Sequence, residues 1–321
     1  MSEEPPDPVP SVEVAAAGEL TMGFVGVSTS RSSIMRIFPH WAELLGLPTR
    51  NLVGHDLPLD ATPAQYRELV RRIRDDDAHL GALVTSHKIG VYQHCVDLFD
   101  EVDEFAGLCG EISSISKRDG RLVGHAKDPL TVGLAAEEFL PTGHFEHTGA
   151  DVVCLGAGGA GTAATWYLSN RPDPPRKIIC SDADPGRLAH LQKVQAAGRL
   201  DPAMFSYEVV QRPEDSDTLV ASARPGSLVI NATGLGKDRP GSPISDACAF
   251  PPGGVVWELN YRGGLDFLHQ AERQQQGQRL QIVDGWRYFI HGWTQVIAEV
   301  FDIPMPPSAV DTLSRVAQDL R

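Results

Sequence analysis

The chain has 321 residues, 42% of them apolar, and carries 42 acidic against 28 basic side chains for a net charge of −14. That length suggests two domains, and the negative charge, which no local Lys/Arg cluster reverses, excludes nucleic acid and anionic membrane as partners. No 18-residue apolar run outside the glycine-rich turn region is available to span a membrane, and five cysteines in apolar contexts read as reduced, buried thiols of a cytoplasmic protein.

Met1 to Pro8 is acidic and proline-rich, the reverse of a signal peptide, and residues 1–19 read as a disordered tail. Leu20 to Val27 is a first strand, followed by the Ser-rich turn Ser28 to Ser33. From Ile34 to Leu45 the apolar positions Ile34, Ile37, Phe38, Trp41, Leu44 and Leu45 recur at helical spacing. Asn51 to Asp56 is a short strand, Pro63 to Ile73 a helix, Gly81 to Thr85 a buried strand and Val91 to Ala106 a helix. Ser114 to Val123 is a hairpin through Asp119-Gly120, and Thr131 to Leu140 is the helix that links the domains. Strands alternating with helices imply an α/β domain.

Val152 to Leu155 runs straight into Gly156-Ala157-Gly158-Gly159-Ala160-Gly161, three glycines at G-x-G-x-x-G spacing that open a helix. Gly156 suits the turn, Gly158 lets backbone amides approach a pyrophosphate, and Gly161 lets the helix sit close on the strand. A second strand, Lys177 to Ser181, ends in Asp182, where an acid meets the adenosine ribose. The expected fold is therefore α/β: a substrate domain of residues 20–132 and 286–321, and a Rossmann dinucleotide-binding domain of residues 133–285. Further strands are expected at Phe205 to Val210, Leu228 to Gly234 and Gly254 to Leu259, and a helix at Arg187 to Ala197. Trp286 to Phe301 is a long helix returning to the first domain.

Such a plan leaves a cleft between the domains, so strand ends and turns facing it should carry the chemistry. Ser30-Arg31-Ser32 offers hydroxyls, a cation and amides to a carboxylate, with a plain Ser N-cap as the alternative. Lys88 stands just past a buried strand and Asp128 just before the linking helix. Converging in a half-buried cleft they form an acid/base unit, burial easing loss of the lysine proton. Tyr288 stands where the long helix meets the cleft, and His291 is either a core histidine or a ligand group. His144-Phe145-Glu146-His147 has no third ligand nearby, so no metal is expected.

From Gly23 to Phe301 these segments resemble the shikimate/quinate dehydrogenase family. Val84-Thr85-Ser86-His87-Lys88 is similar to the family's N-V-T-x-P-x-K segment and Gly124 to Asp128 to its G-x-N-T-D segment, which implies catalytic roles for Lys88 and Asp128. Ser30 and Ser32 resemble the S-x-S carboxylate site, and the resemblance places Thr85, Ser113 and Tyr261 around the substrate. Asn231, Ala232 and Thr233 resemble the I-N-A-T stretch on the nicotinamide side, and Gly285 opens the closing-helix segment. Asp182 to Arg187 resembles the acidic loop of the NAD-using branch, which implies NAD rather than NADP.

The departures are specific. The Lys segment is one residue shorter and lacks its Pro, G-A-x-N-T stands as Gly110-Glu111-Ile112-Ser113-Ser114, and Gly292 with His291 beside it stands where a Gln aligns. The resemblance thus implies an NAD-dependent dehydrogenase of a polyhydroxylated ring acid, as monomer or homodimer. An aminoshikimate or carboxylate-free cyclitol is the first rival substrate, the amine suiting Glu111. A non-catalytic NAD-binding regulator on the same scaffold is the rival of a different class.

Overall fold

The computed structural model describes residues 18–237 and 239–321; residues 1–17 of the expected tail lie outside them. The first half runs β1 (Thr21–Gly26), α1 (Ile34–Leu45), β2 (Leu52–Asp56), α2 (Pro63–Asp75), β3 (His79–Val84), α3 (Lys88–Cys95), β4 (Glu101–Val102), α4 (Glu104–Cys109), β5 (Ser114–Arg118), β6 (Arg121–His125) and α5 (Asp128–Glu137). α6 (His144–Thr148) leads into β7 (Val152–Leu155), α7 (Gly159–Ser169), β8 (Ile178–Asp182), α8 (Pro185–Ala197), β9 (Phe205–Val209), α9 (Pro213–Ser222), β10 (Leu228–Asn231), β11 (Val255–Glu258), α10 (Asp266–Glu272), α11 (Gln275–Gln278) and β12 (Gln281–Val283). The chain closes with α12 (Trp286–Phe301) and α13 (Pro307–Gln318).

Among the described residues the strands make two six-stranded sheets. The first has the order β2-β1-β3-β5-β6-β4: β1 pairs parallel with β2 and β3, and the β5–β6 hairpin adds antiparallel to β3. The second, β12-β11-β10-β7-β8-β9, is parallel throughout. β7 runs to the left into β10 and to the right into β8, so the strand order reverses between β7 and β10. In a doubly wound sheet that switch point opens a crevice at the carboxyl ends of the strands.

The apolar periodicity of α1 buries Ile34, Ile37, Phe38 and Trp41, and Gly46 ends it in the left-handed region at φ +64°. That face packs on Met22 and Phe24 of β1 and on Trp286, Phe289, Ile290 and Trp293 of α12. The closing helix therefore belongs to the core of the first sheet. Each fully buried large side chain contributes about 1.5–3 kcal/mol, so α12 cannot lift off without opening that core. Trp41 Nε1 donates to the Leu313 carbonyl at 2.9 Å, which pins α13 on α1. The two halves meet through α5 and α7, where a side chain at Gly133 would lie 2.6 Å from the Tyr167 ring.

One expected helix is broken. Val91 to Ala106 is divided into α3, a 3-10 turn, β4 and α4, because Asp103 accepts from Ala106 N at 2.6 Å and caps a new helix. β4 then pairs parallel with β6 at the sheet edge. The His144 to His147 segment lies in the short helix α6, in which the His144 and His147 rings bond the carbonyls of Gly226 and Gly143. Sequence reading passed over α9, α10, α11 and β12, short or weakly periodic segments, and also α13, whose stripe of Val310, Leu313 and Ala317 is buried. No described helix is long and apolar enough to cross a membrane, and all five cysteines are buried and unpaired.

Candidate functional site

The glycine turn at the switch point has the geometry a phosphate needs. Gly156 adopts φ +107°, and a Cβ there would lie 2.7 Å from the Ala232 carbonyl group. A Cβ on Gly161 would collide with the Gly156 carbonyl, so the glycine sets the distance from α7 to β7. Gly158, extended at the N-cap of α7, faces open space. Gly159 and Ala160 follow in the first helical turn, whose amides have no intrahelical acceptor and sit at the positive end of the dipole. A cradle that only glycine leaves open, ahead of a half-buried helix start, fits a dinucleotide pyrophosphate.

Asp182 ends β8 beside this turn. Its carboxylate accepts from Ala157 N at 2.8 Å and from Asp184 N at 2.9 Å, with Arg187 3.8 Å away. A cavity of about 160 Å³ opens there, lined by Asp182, Arg187, Arg212 and Thr233 among others. Asn231 is turned the other way. It is fully buried, donates to Glu258 at 2.7 Å and accepts from the Thr233 amide and hydroxyl at 3.1 and 2.7 Å. It therefore shapes the Thr233 turn and does not line the cavity. Ala232 packs its carbonyl against Gly156. A Cβ at Gly285 would sit 2.5 Å from the Asn260 carbonyl oxygen, so that glycine serves the close approach of α12 to the second sheet.

Lys88 and Asp128, 40 residues apart, are each the first residue of a helix, α3 and α5, and their side chains form an ion pair. Glu111 is the third member. The Gly110 turn at φ +61° and a bond from Ile112 N to the Lys88 carbonyl at 3.1 Å carry Glu111 into the same space, where it is 1% exposed. Burial pulls the Lys88 ammonium toward neutrality, but the charges of Asp128 and Glu111 outweigh it and the pKa rises above the usual lysine value. The expectation that burial eases loss of this proton is thus corrected: two carboxylates hold it on. Burial and the Asp128 charge push Glu111 up to about 8 against the pull of Lys88. Tyr288 borders the group, its phenol pushed well up by burial and by the charges of Asp128 and Glu111.

A second cavity of about 80 Å³ lies against the end of β1, between the halves. Ser28, Ser32, Thr85 and Tyr261 supply its hydroxyls, Lys237 and Arg262 its cations, and Phe24, Phe289 and Trp293 an aromatic wall. Ser32 and Tyr261 hydrogen-bond across it at 3.0 Å, and Tyr261 stacks on Phe289 at 4.1 Å. Ser30 and Arg31 are exposed and do not line it; Ser28, two residues before Ser30, lines it instead. Ser113 has its hydroxyl between the His125 carbonyl and the Lys127 amide, at 3.4 and 2.7 Å. His291 bonds Glu138 at 2.7 Å beside Arg287, away from the cavity. That pairing overcomes burial and lowers Glu138 to about 2.

Sequence reading missed Ser28, Lys237, Arg262 and Glu258. Only Glu258 left a signal, an acid three residues before Tyr261 at the end of a buried strand. Burial raises it to about 7 against its bonds from the Asn260 amide and Asn231.

No family model matches the chain. Shikimate dehydrogenase (NADP(+)) of Streptococcus gordonii is 30% identical over 195 residues, 60% of this chain and 63% of that protein. The shikimate dehydrogenase (NADP(+)) of Sphingopyxis alaskensis is 28% identical over 292 residues, 89% of this chain and 91% of the relative. Among solved structures, quinate dehydrogenase from Corynebacterium glutamicum in complex with NAD superposes with a TM-score of 0.70 at 20% identity, covering 94% of this chain and 99% of the other. The chain is thus similar to shikimate dehydrogenases over most of its length and shares the fold of a quinate dehydrogenase. Against the family segments quoted above, the shortened Thr85–Lys88 stretch still brings Lys88 to Asp128, because Lys88 itself opens α3.

Proposed function

We propose that this chain is a dehydrogenase of the shikimate/quinate type, exchanging a hydride reversibly between NAD(H) and a secondary alcohol or ketone on a polyhydroxylated ring acid. Residues 20–132 with 286–321 form its substrate half and residues 133–285 its dinucleotide half. The observation that carries this reading is the placement of the Lys88–Asp128 pair at the phosphate helix. The Lys88 Cδ lies 3.8 Å from where a Cβ on Gly159 would stand.

When bound, a nicotinamide dinucleotide supplies the hydride acceptor or donor. Lys88, held charged, gives its proton to the oxygen that a ring carbonyl becomes on reduction, and its ammonium stabilises the charge developing there. In the oxidative direction Lys88 must first lose its proton, and its raised pKa makes that an alkaline event. Asp128 holds the amine in place. Ser28, Ser32 and Tyr261, with Lys237 and Arg262 lining the same cavity, supply hydroxyls and cations for a carboxylate, which favours a ring acid over a carboxylate-free cyclitol.

NAD is the preferred cofactor on this reading. Each Asp182 oxygen accepts one backbone amide and keeps a lone pair for a ribose hydroxyl, while its charge repels a 2′-phosphate. The test is dinucleotide reduction at alkaline pH with NAD or NADP against shikimate, quinate, aminoshikimate and a set of inositols. Turnover of a hydroxylated ring acid with NAD is the expected result. Turnover of an amine alone makes Glu111 a substrate-binding residue, and silence across the set alongside tight NAD binding favours the non-catalytic regulator.

A further inference from the structure

Glu111 is a buried acid for which the proposed chemistry has no use. Its Oε1 has no hydrogen-bond partner among the described residues, although the group is 1% exposed. Its Oε2 points out of the first half and rests against Gly159, in the opening turn of α7, where a Cβ would collide with it. The eleven residues of α7 present their positive end at that place. A buried carboxyl thus occupies the approach to the helix end that the glycine turn keeps open for phosphate.

We propose that Glu111 is a proton-linked gate on the dinucleotide site: the pyrophosphate settles on the first turn of α7 only when the Glu111 carboxyl is neutral. The proposal rests on the dinucleotide reading above and adds a control to it. An ionised carboxylate and a pyrophosphate compete for one helix end, and like charges at that separation repel strongly where water is excluded. Lys88 from α3, Asp128 from the start of α5, Tyr288 from α12 and Cys109 from α4 complete the electrostatic surroundings. Lys88, Tyr288 and Cys109 are all pushed upward, so each keeps its proton through the neutral pH range, whereas Glu111 stands at about 8. Glu258, at about 7, lies on the second sheet at the end of β11 and remains in place in every variant below.

The experiment is titration calorimetry of NAD and of ADP-ribose, which keeps the pyrophosphate and lacks nicotinamide, between about pH 6.5 and 9.5 in buffers of differing ionisation heat. The native protein should take up about half a proton per dinucleotide near pH 8, and its dissociation constant should rise roughly tenfold per unit above that pH. Glu111→Gln should bind both ligands with that uptake abolished and with an affinity changing less than about threefold over the range. Glu111→Ala, which removes carboxyl and amide together, should behave as Glu111→Gln does. Equal proton uptake by native and variant proteins overturns the gate alone. So does a pH dependence seen with NAD and absent with ADP-ribose. Failure of every form to bind either ligand overturns the dinucleotide reading and the gate with it.

Discussion

Replacing Lys88 with methionine keeps the unbranched stem, one atom shorter, and removes its charge, leaving Asp128 and Glu111 facing each other without a cation. The pair is well buried, with side-chain exposures of 18% for Lys88 and 9% for Asp128. Removing one partner of such a pair typically costs about 3–5 kcal/mol, most of it the penalty on the charge left behind. Partial relief by protonation of the two acids brings the expected loss to about 3 kcal/mol, read as the change in urea midpoint multiplied by an unchanged slope. Lys88→Met with Asp128→Asn should recover at least half of that loss, because the stranded charge is gone. The same single variant should lower turnover by about a hundredfold to ten-thousandfold, the usual contribution of a positioned acid, with NAD affinity changed less than about threefold. A double variant no more stable than the single one would refute the burial argument. Parallel losses of turnover and NAD affinity would refute the assignment of Lys88 to the proton transfer.

Ser32→Ala should raise the substrate KM by about tenfold, the value of one good hydrogen bond, while Ser30→Ala should leave it within about twofold; the reverse order would return the carboxylate site to Ser30. Gly161→Ala drives a methyl group into the Gly156 carbonyl and should lower stability by about 1–3 kcal/mol, with a matching fall in Tm. His55 and His79, whose rings bond each other at 3.1 Å, are lowered by burial to about 4 and about 3, the first also by Arg72 and the second by His55. The unfolded rings titrate near 6.5 and the folded ones far below, so stability is intact above about pH 6.5 and declines between there and about pH 4, by about 3 kcal/mol for one ring. A urea midpoint unchanged between about pH 6.5 and 4 would show that the pair opens without cost.

Much of the plan was legible because it depends on local periodicity. α1 and α12 have the expected limits, Ile34–Leu45 and Trp286–Phe301, since their apolar spacing is satisfied by any flat core. The glycine turn, the β5–β6 hairpin and the parallel strands of the second sheet were equally readable from residue type and spacing, and Lys88 and Asp128 stood out as charged groups at strand exits. What the linear chain determines is which backbone can turn, which stripe must be buried and which side chains reach a cleft. Tertiary structure decides how those side chains are spent. Asn231, Ser113, His291 and Gly285 were all read as site residues, yet each is committed to a partner from another element: Glu258, the Lys127 amide, Glu138 and the Asn260 carbonyl. The protonation of Lys88 and Glu111 is of the same kind. Whether a buried ammonium gains or loses its proton depends on how many carboxylates the fold brings within reach, and the Gly110 turn brings a second one.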